Sequence, residues 1–535
     1  MESIIDYEDI IFLPHQLGDI CKDRYIPGKS HQNQLLSTLN HEVRRSYRSG
    51  VLAKILPQSN LLEWQDEVER GRIAHSRVAG TQMRNMSFLA ELHGRYREAM
   101  MAKKKEPPWI PMLPKKIRAD LRRHWHVIDY EDPEAIVPFL PFSDVRYLVR
   151  EGGVCTESIR ACALYRLGHI RQLGNLHDPA VFEEGFVAMG QRFNHSRYLH
   201  VNDVSALVTL MGLNNGIEHR LLKHLRVAAL IHDALTPAHG DGTKAIDPAL
   251  FDEDAFVATL LVGPNWEALK KKHGLSKTLL VDIVQHRHVL GVMLDYADRI
   301  AYVARDVDAY LLRYGKYTRV NATREYRMLS EIVRRNPSVC SLWDTIRLDE
   351  HGAVYCDDPV KLEQFLTVRI LMFRGLYYNP HARFMEYFVS HAITSVLYEK
   401  GIVSHEELLR MGDMELDGII GRALGDPYVM GMSGDFGEAH LKRFATCEEA
   451  AAFESCLKKN GISITLLDDV DRKIRSGTGY RVRNARGTIA PFRELCPHQA
   501  AALERLCVIP NPFAVYWIEN NAMTDRIRKF MEAKT

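Results

Sequence analysis

Between about residues 126 and 425, apolar side chains recur at i, i+3, i+4 and i+7 over stretches much longer than a strand. This periodicity restricts the possible folds more than any other feature of the chain. It runs through 221–231 (LLKHLRVAALI), 279–312 and 362–398, and the Gly and Pro interruptions between these stretches are short. Each such helix must bury its apolar stripe against another, so the spacing predicts an all-helical core. Period-two alternation comes later, at 462–466 (ISITL) and 480–483 (YRVR), with Gly477 and Gly479 as turn signals. The expected fold is mostly α, with a small α/β C-terminal lobe. Three segments follow from this: a helical N-terminal extension with a basic linker over 1–125, the helical core over 126–425, and the lobe over 426–535.

A chain of 535 residues exceeds one ordinary core, and 46% hydrophobic with 26% charged residues is the composition of a globular protein. Seventy basic against 68 acidic residues leave a formal charge of +2, which carries no message about a polyanionic partner. The nine cysteines are scattered without a CxxC pair, which argues against a disulfide scaffold and a thiolate zinc site. A reducing cytoplasm is the expected compartment. The acidic start, MESIIDYED, and the lack of any run of about 18 apolar residues predict a chain that is neither exported nor membrane-spanning. One basic stretch, from Lys103 to Arg123, reads first as a solvated linker and helix face. Its alternative is a phosphate-contacting surface for nucleic acid.

The chemistry concentrates between Arg192 and Asp306. His232-Asp233 closes the apolar helix VAALIHDAL, where two adjacent polar groups are costly to bury unless something compensates them. A divalent cation at the helix end is one compensation, and a satisfied His with a helix-terminal Asp is the other. Upstream, RFNHS (192–196) opens a second helix with His195 at its start. Downstream, Asp298, Tyr302, Arg305 and Asp306 share one face of the helix LDYADRIAYVARDVDAYLL, a pattern that fits either a site or a salt-bridged surface. His200 and Asp203 read as core or capping residues. His286, in HRH, is an accessory ligand or substrate contact.

These segments, in order with Asp132-Pro133 and YRLGHIRQLG (165–174), resemble the HD-domain phosphohydrolases and, within them, the deoxynucleoside triphosphate triphosphohydrolases of dGTPase type. The resemblance covers roughly 128–430. It implies a helical HD-domain core in which His195, His232, Asp233 and Asp298 hold a divalent metal, with Mn, Mg, Fe and Zn all compatible. It also implies Gln172 and Leu173 against the deoxyribose, Arg192 and Arg299 at phosphate positions and Tyr302 beside sugar and phosphate. Asp306 would meet the sugar hydroxyl, and Arg369, with Arg374 as alternative, would be a later phosphate contact. A dNTP is the implied substrate, and relatives imply a homo-oligomer. Catalysis would fall to Asp233 with a proton donor from the following loop.

That loop departs from the family. Where relatives continue into Pro-Pro-Phe-Gly-His, this chain reads Ala234-Leu235-Thr236-Pro237-Ala238-His239-Gly240-Asp241, which leaves His239 or Asp241 as the donor. A second catalytic His is replaced by Phe251-Asp252-Glu253-Asp254. Two rival functions follow. One is a phosphodiesterase or pyrophosphohydrolase of a signalling nucleotide, and the other a non-catalytic HD protein that binds nucleotide or nucleic acid.

Overall fold

The computed structural model describes residues 5–7, 10–12, 106, 108, 110–113, 115, 118, 122, 139–143, 145–149, 153–177, 193, 195–314, 323–424, 439–469, 474–520 and 522–532. Compactness divides the chain into two units: Met1–Ser158 with Leu311–Thr318 and Val333–Ser341, and Ile159–Tyr310 with Arg319–Ile332 and Leu342–Thr535.

In the first unit, β1 (Ile5–Tyr7), β2 (Ile10–Phe12), β3 (Phe139–Leu140) and β4 (Val145–Val149) form an antiparallel sheet in the order β1-β2-β4-β3. Ile10 lies opposite Val149, and Ile10, Leu140, Val145 and Tyr147 are buried. Residues 5–7 and 10–12 were expected within a helical extension and are strands instead. The segment is rich in β-branched Ile, and its partner strand lies more than 130 residues away, where no local pattern reveals it. Of the basic stretch, Lys115, Arg118 and Arg122 are described, and Arg122 donates to Glu106 at 2.5 and 2.8 Å. Lys103, Lys104, Lys105, Lys116 and Arg123 lie outside the described residues.

The second unit is mostly helical, as its periodicity predicts. Helix α1 (Arg197–Asn214) and helix α2 (His219–Ile231) form a hairpin, with α1 buried on nearly every side. They are followed by α3 (Lys277–Val284), the long α4 (Val289–Tyr314), α5 (Arg324–Arg335) and α6 (Pro359–Met372). Asp358 caps α6 by accepting from the Val360 and Lys361 amides, and a π-helical turn, Phe373–Tyr377, extends it. Then come α7 (Pro380–Phe388) and α8 (Asp413–Ala423).

The C-terminal α/β lobe holds β7 (Ala439–Phe444), α9 (Cys447–Lys459), β8 (Ile464–Asp469), α10 (Pro497–Leu506), β11 (Phe513–Ile518) and α11 (Ala522–Glu532). Its antiparallel sheet has the order β7-β11-β8. The alternating segment at 480–483 is β9 (Arg481–Arg483), which pairs not with that sheet but with β10 (Ile489–Pro491) and, in parallel, with β6 (Val354–Cys356), itself paired with β5 (Ile346–Leu348). One apolar cluster joins Phe384, Phe388, Leu416 and Ile420 to Leu441, Ile464, Tyr516, Ile518 and Ile527. Among the described residues no helix is long and apolar enough to cross a membrane.

Candidate metal centre

Helices α1, α2 and α4 converge on three donors. Ser196 caps α1, accepting from the Leu199 amide, and His200 follows in the first turn. His232 and Asp233 stand where α2 ends, and Asp298 projects from α4. One ligand atom each from His200, His232 and Asp298 lies within 4.8 Å of the others. His200 Nε2 is 3.0 Å from Asp298 Oδ1, and His232 Nε2 is 3.7 Å from the same oxygen. The two imidazole rings lie 5.4 Å apart.

The fit to a cation rests on His232. Its Nδ1 is 2.7 Å from the Ala229 carbonyl, which places the proton there and leaves the Nε2 lone pair facing the cluster. That Nε2 is buried without a hydrogen-bond partner. Two neutral nitrogens and one carboxylate oxygen suit a divalent ion, and their type does not choose among Mn, Mg, Fe and Zn. Burial opposes ionisation of Asp298, yet the His200 and His232 imidazoles beside it hold it well below the usual carboxylate range. Without a cation, burial pushes the His232 imidazole down but Asp233 and Asp298 raise it to about 9, so an ion there would compete with a proton for Nε2.

Asp233 stands at the edge of this group. Its Oδ1 is 3.6 Å from His232 Nε2, while its Oδ2 accepts from Arg197 at 2.7 Å and lies 3.6 Å from His200 Nε2. Burial works against the Asp233 carboxylate, but His232, Arg197 and His200 hold it well below its ordinary range. Arg197 is itself buried and reaches Asp241 at 3.1 Å with its other nitrogen. Lys244 then joins Asp241, at 3.2 Å, to Glu253. Thr236 donates to Glu253 at 2.7 Å and to the Asp233 carbonyl at 2.8 Å. Burial raises the Glu253 carboxyl to about 7 although Lys244 opposes it.

His239 takes another direction. Its φ is +62°, followed by Gly240 at +57°, and this turn presents its amide to Asp413 Oδ1 at 2.8 Å and its Nε2 to Asp417 at 2.9 Å. Asp413 also accepts from the Arg171 amide and guanidinium. The ring of His239 thus packs with α8, while Asp241 joins the charged chain that leads to Asp233.

His195, expected as a ligand, is not part of the three-donor group. It precedes the cap of α1, and its Nε2 lies 2.6 Å from Asp306 Oδ1. The other Asp306 oxygen accepts from Tyr377 on the π-helical turn. Arg369 donates to Tyr302 at 2.8 Å and to the Arg475 carbonyl at 2.7 Å, while Arg374 turns to Glu325. Asp298, Tyr302 and Asp306 therefore form one stripe of α4, and His195, Arg369 and Tyr377 gather around its far end. Arg299 is committed elsewhere: it donates to Asp295 at 2.8 Å and covers the Tyr480 ring at 5.3 Å.

Gln172 donates its amide to the His195 carbonyl at 2.9 Å, and its side-chain oxygen is buried without a partner. Leu173 is buried beside it. Arg192 lies outside the described residues. His286 is exposed and bonds the Gly291 carbonyl. Sequence reasoning missed Arg197, Glu253, Tyr377 and Tyr480, and it read His200 as core. The signal for His200 was present: Ser196 is a strong cap, so the His one turn further on has a fixed helical direction.

No family model matches the chain, and no curated protein matches it. Among solved structures, a phosphohydrolase from Bacteroides thetaiotaomicron VPI-5482 superposes with a TM-score of 0.50 at 12% identity, covering 70% of this chain and 98% of that one. The chain shares its fold with this phosphohydrolase. A hypothetical protein from Aquifex aeolicus is also similar, with a TM-score of 0.47 and 17% identity over 71% of this chain and 96% of that one.

Proposed function

We propose that the chain is a metal-dependent phosphohydrolase that converts a deoxynucleoside triphosphate to deoxynucleoside and inorganic triphosphate. The observation that carries this reading is the convergence of His200, His232 and Asp298 within 4.8 Å, with the buried His232 Nε2 left unpartnered. His200, His232 and Asp298 would hold the ion, with Asp233 beside them. A divalent cation there polarises a phosphoryl oxygen and lowers the pKa of a bound water. The phosphohydrolase that shares the fold supports the reaction class.

The chain's own groups supply the rest. Arg197 keeps Asp233 ionised and oriented. Arg369, steadied by Tyr302, offers its guanidinium to phosphate oxygens. Asp306, held by His195 and Tyr377, would accept a sugar hydroxyl. His239 is the better donor of a proton to the leaving oxygen. Its Nδ1 has no hydrogen-bond partner, and a proton given from there requires the imidazolium, which Asp417, 2.9 Å from Nε2, would favour. Against its partial burial, Lys244 and Arg197 hold Asp241 as a carboxylate, which has no proton to give.

The test is a panel of nucleotides with Mn, Mg, Fe or Zn and identification of every product. Tripolyphosphate released from deoxynucleotides in preference to ribonucleotides is the expected result. Orthophosphate or pyrophosphate as the sole product would favour the signalling-nucleotide alternative. No hydrolysis of any dNTP, with metal content unchanged in His232→Ala, would sink the reading.

A further inference from the structure

A second cationic concavity lies within the same unit, on residues not used by the metal centre. It has a volume of about 260 Å³ and is lined by Arg324 of α5, Arg374 of the π-helical turn and Arg505 of α10, with Glu325 as its acidic member. Leu371 and Leu506 belong to its apolar lining. Three guanidinium groups against one carboxylate leave a local excess of two positive charges.

The three arginines are not equivalent. Arg374 is saturated: two of its nitrogens reach Glu325 Oε1 at 3.2 and 3.1 Å, and the third donates to the Leu506 and Val508 carbonyls at 3.0 and 2.7 Å. Arg374 thus fastens the end of α10 to α6, and it consumes the only acidic side chain of the lining. Arg324 and Arg505 make no ion pair, and no hydrogen bond from their guanidinium groups, to any described residue. Two guanidiniums without an acidic partner among the described residues line one small concavity, where an anion would meet both. Guanidinium forks match the oxygens of a phosphate group in geometry as well as charge. The volume corresponds to about nine waters at ~30 Å³ each, enough for a phosphate group and a short body against the leucines.

We propose that Arg324 and Arg505 form a second anion site, separate from the metal centre, that takes a small phosphate-bearing molecule. Free orthophosphate or pyrophosphate and an esterified phosphate share the charged group that two guanidiniums recognise. The site does not depend on the catalytic reading, since none of its residues belongs to the metal group or to the stripe of α4.

Calorimetric titration of the full chain with pyrophosphate, in the presence of a chelator, tests the assignment. The expected result is saturable binding that His232→Ala leaves within about twofold and that the double variant Arg324→Ala, Arg505→Ala weakens tenfold or more. Both arginines are exposed, so the double variant should keep the wild-type melting temperature. Orthophosphate and a sugar monophosphate then separate the free from the esterified source, and citrate reports a purely electrostatic site. The proposal is overturned if wild type shows no saturable binding, if the double variant binds pyrophosphate unchanged, if His232→Ala abolishes binding, or if citrate binds as tightly as pyrophosphate.

Discussion

His195 and His200 are five residues apart and face different partners because Ser196 stands between them. Ser196 is extended, with φ −94° and ψ 158°, and caps α1, so His195 leaves the chain before the helix and reaches Asp306. His200, inside the first turn, points at Asp298. His200→Ala should therefore reduce bound Mn or Fe, measured by elemental analysis after dialysis, with affinity falling roughly a hundredfold or more. His195→Ala should keep its metal but lose about 10- to 100-fold in turnover, the scale of one charge-assisted hydrogen bond to Asp306. The opposite result, metal lost from the His195 variant and kept by the His200 variant, would return His195 to the ligand set. His232, Asp233 and Asp298 stood out in the sequence because polar residues interrupt apolar helices there. His200 did not, since a His among Tyr198, Leu199 and Val201 looks like any packed side chain until the direction of α1 is known.

At the level of elements, the loop between α2 and the turn Asp241–Lys244 packs its backbone against a position that side chains resist. Gly174 has φ +50°, and a Cβ there would lie 2.6 Å from the His239 carbonyl oxygen. Gly174→Ala should cost about 2 kcal/mol or more in denaturant unfolding, from the left-handed backbone and the backbone clash together. The same loop encloses Glu253, whose carboxyl burial raises to about 7 while Lys244 opposes. The unfolded carboxyl titrates near 4.5, so the stabilising contribution of its protonated form is fully present below pH 4.5 and disappears as the pH rises through 7. Glu253→Gln lacks this dependence. Its stability relative to wild type should climb between pH 4.5 and 7 by on the order of 3 kcal/mol at most, and parallel unfolding curves across that range would refute the burial account. The helices were legible because their period persists over many turns. Strands β1, β2, β5 and β6 were not, being three residues each, too short for a period of two to show, and β2 and β6 also pair with distant β4 and β9.

For the whole molecule, the α/β lobe expected from alternation at 462–466 exists, but it completes the core rather than standing apart from it. Arg383 of α7 grips Asp468 of β8 with two bonds of 3.0 Å, and both side chains are nearly buried. Tyr516 donates to the Pro380 carbonyl at 3.0 Å, and Tyr387 to the Leu467 carbonyl at 2.6 Å. Downstream, Tyr480 donates to Asp295 of α4 at 2.8 Å, while the Arg475 carbonyl accepts from Arg369, so the C-terminal segment also braces α4 and the Arg369 that bonds Tyr302. These contacts span about 80 to 185 residues, and no periodicity encodes them. Removing one partner of the buried pair strands a charge in the core. Asp468→Ala should therefore destabilise the second unit by about 3–5 kcal/mol, whereas an exposed pair such as Arg410 with Glu406 should cost under about 1 kcal/mol. Deleting residues 439–535 should go further, exposing Phe384, Phe388, Leu416 and Ile420 together and leaving a chain without a cooperative melt. If the shortened chain instead melts cooperatively and keeps its metal, the lobe is an independent domain and the shared apolar cluster contributes little.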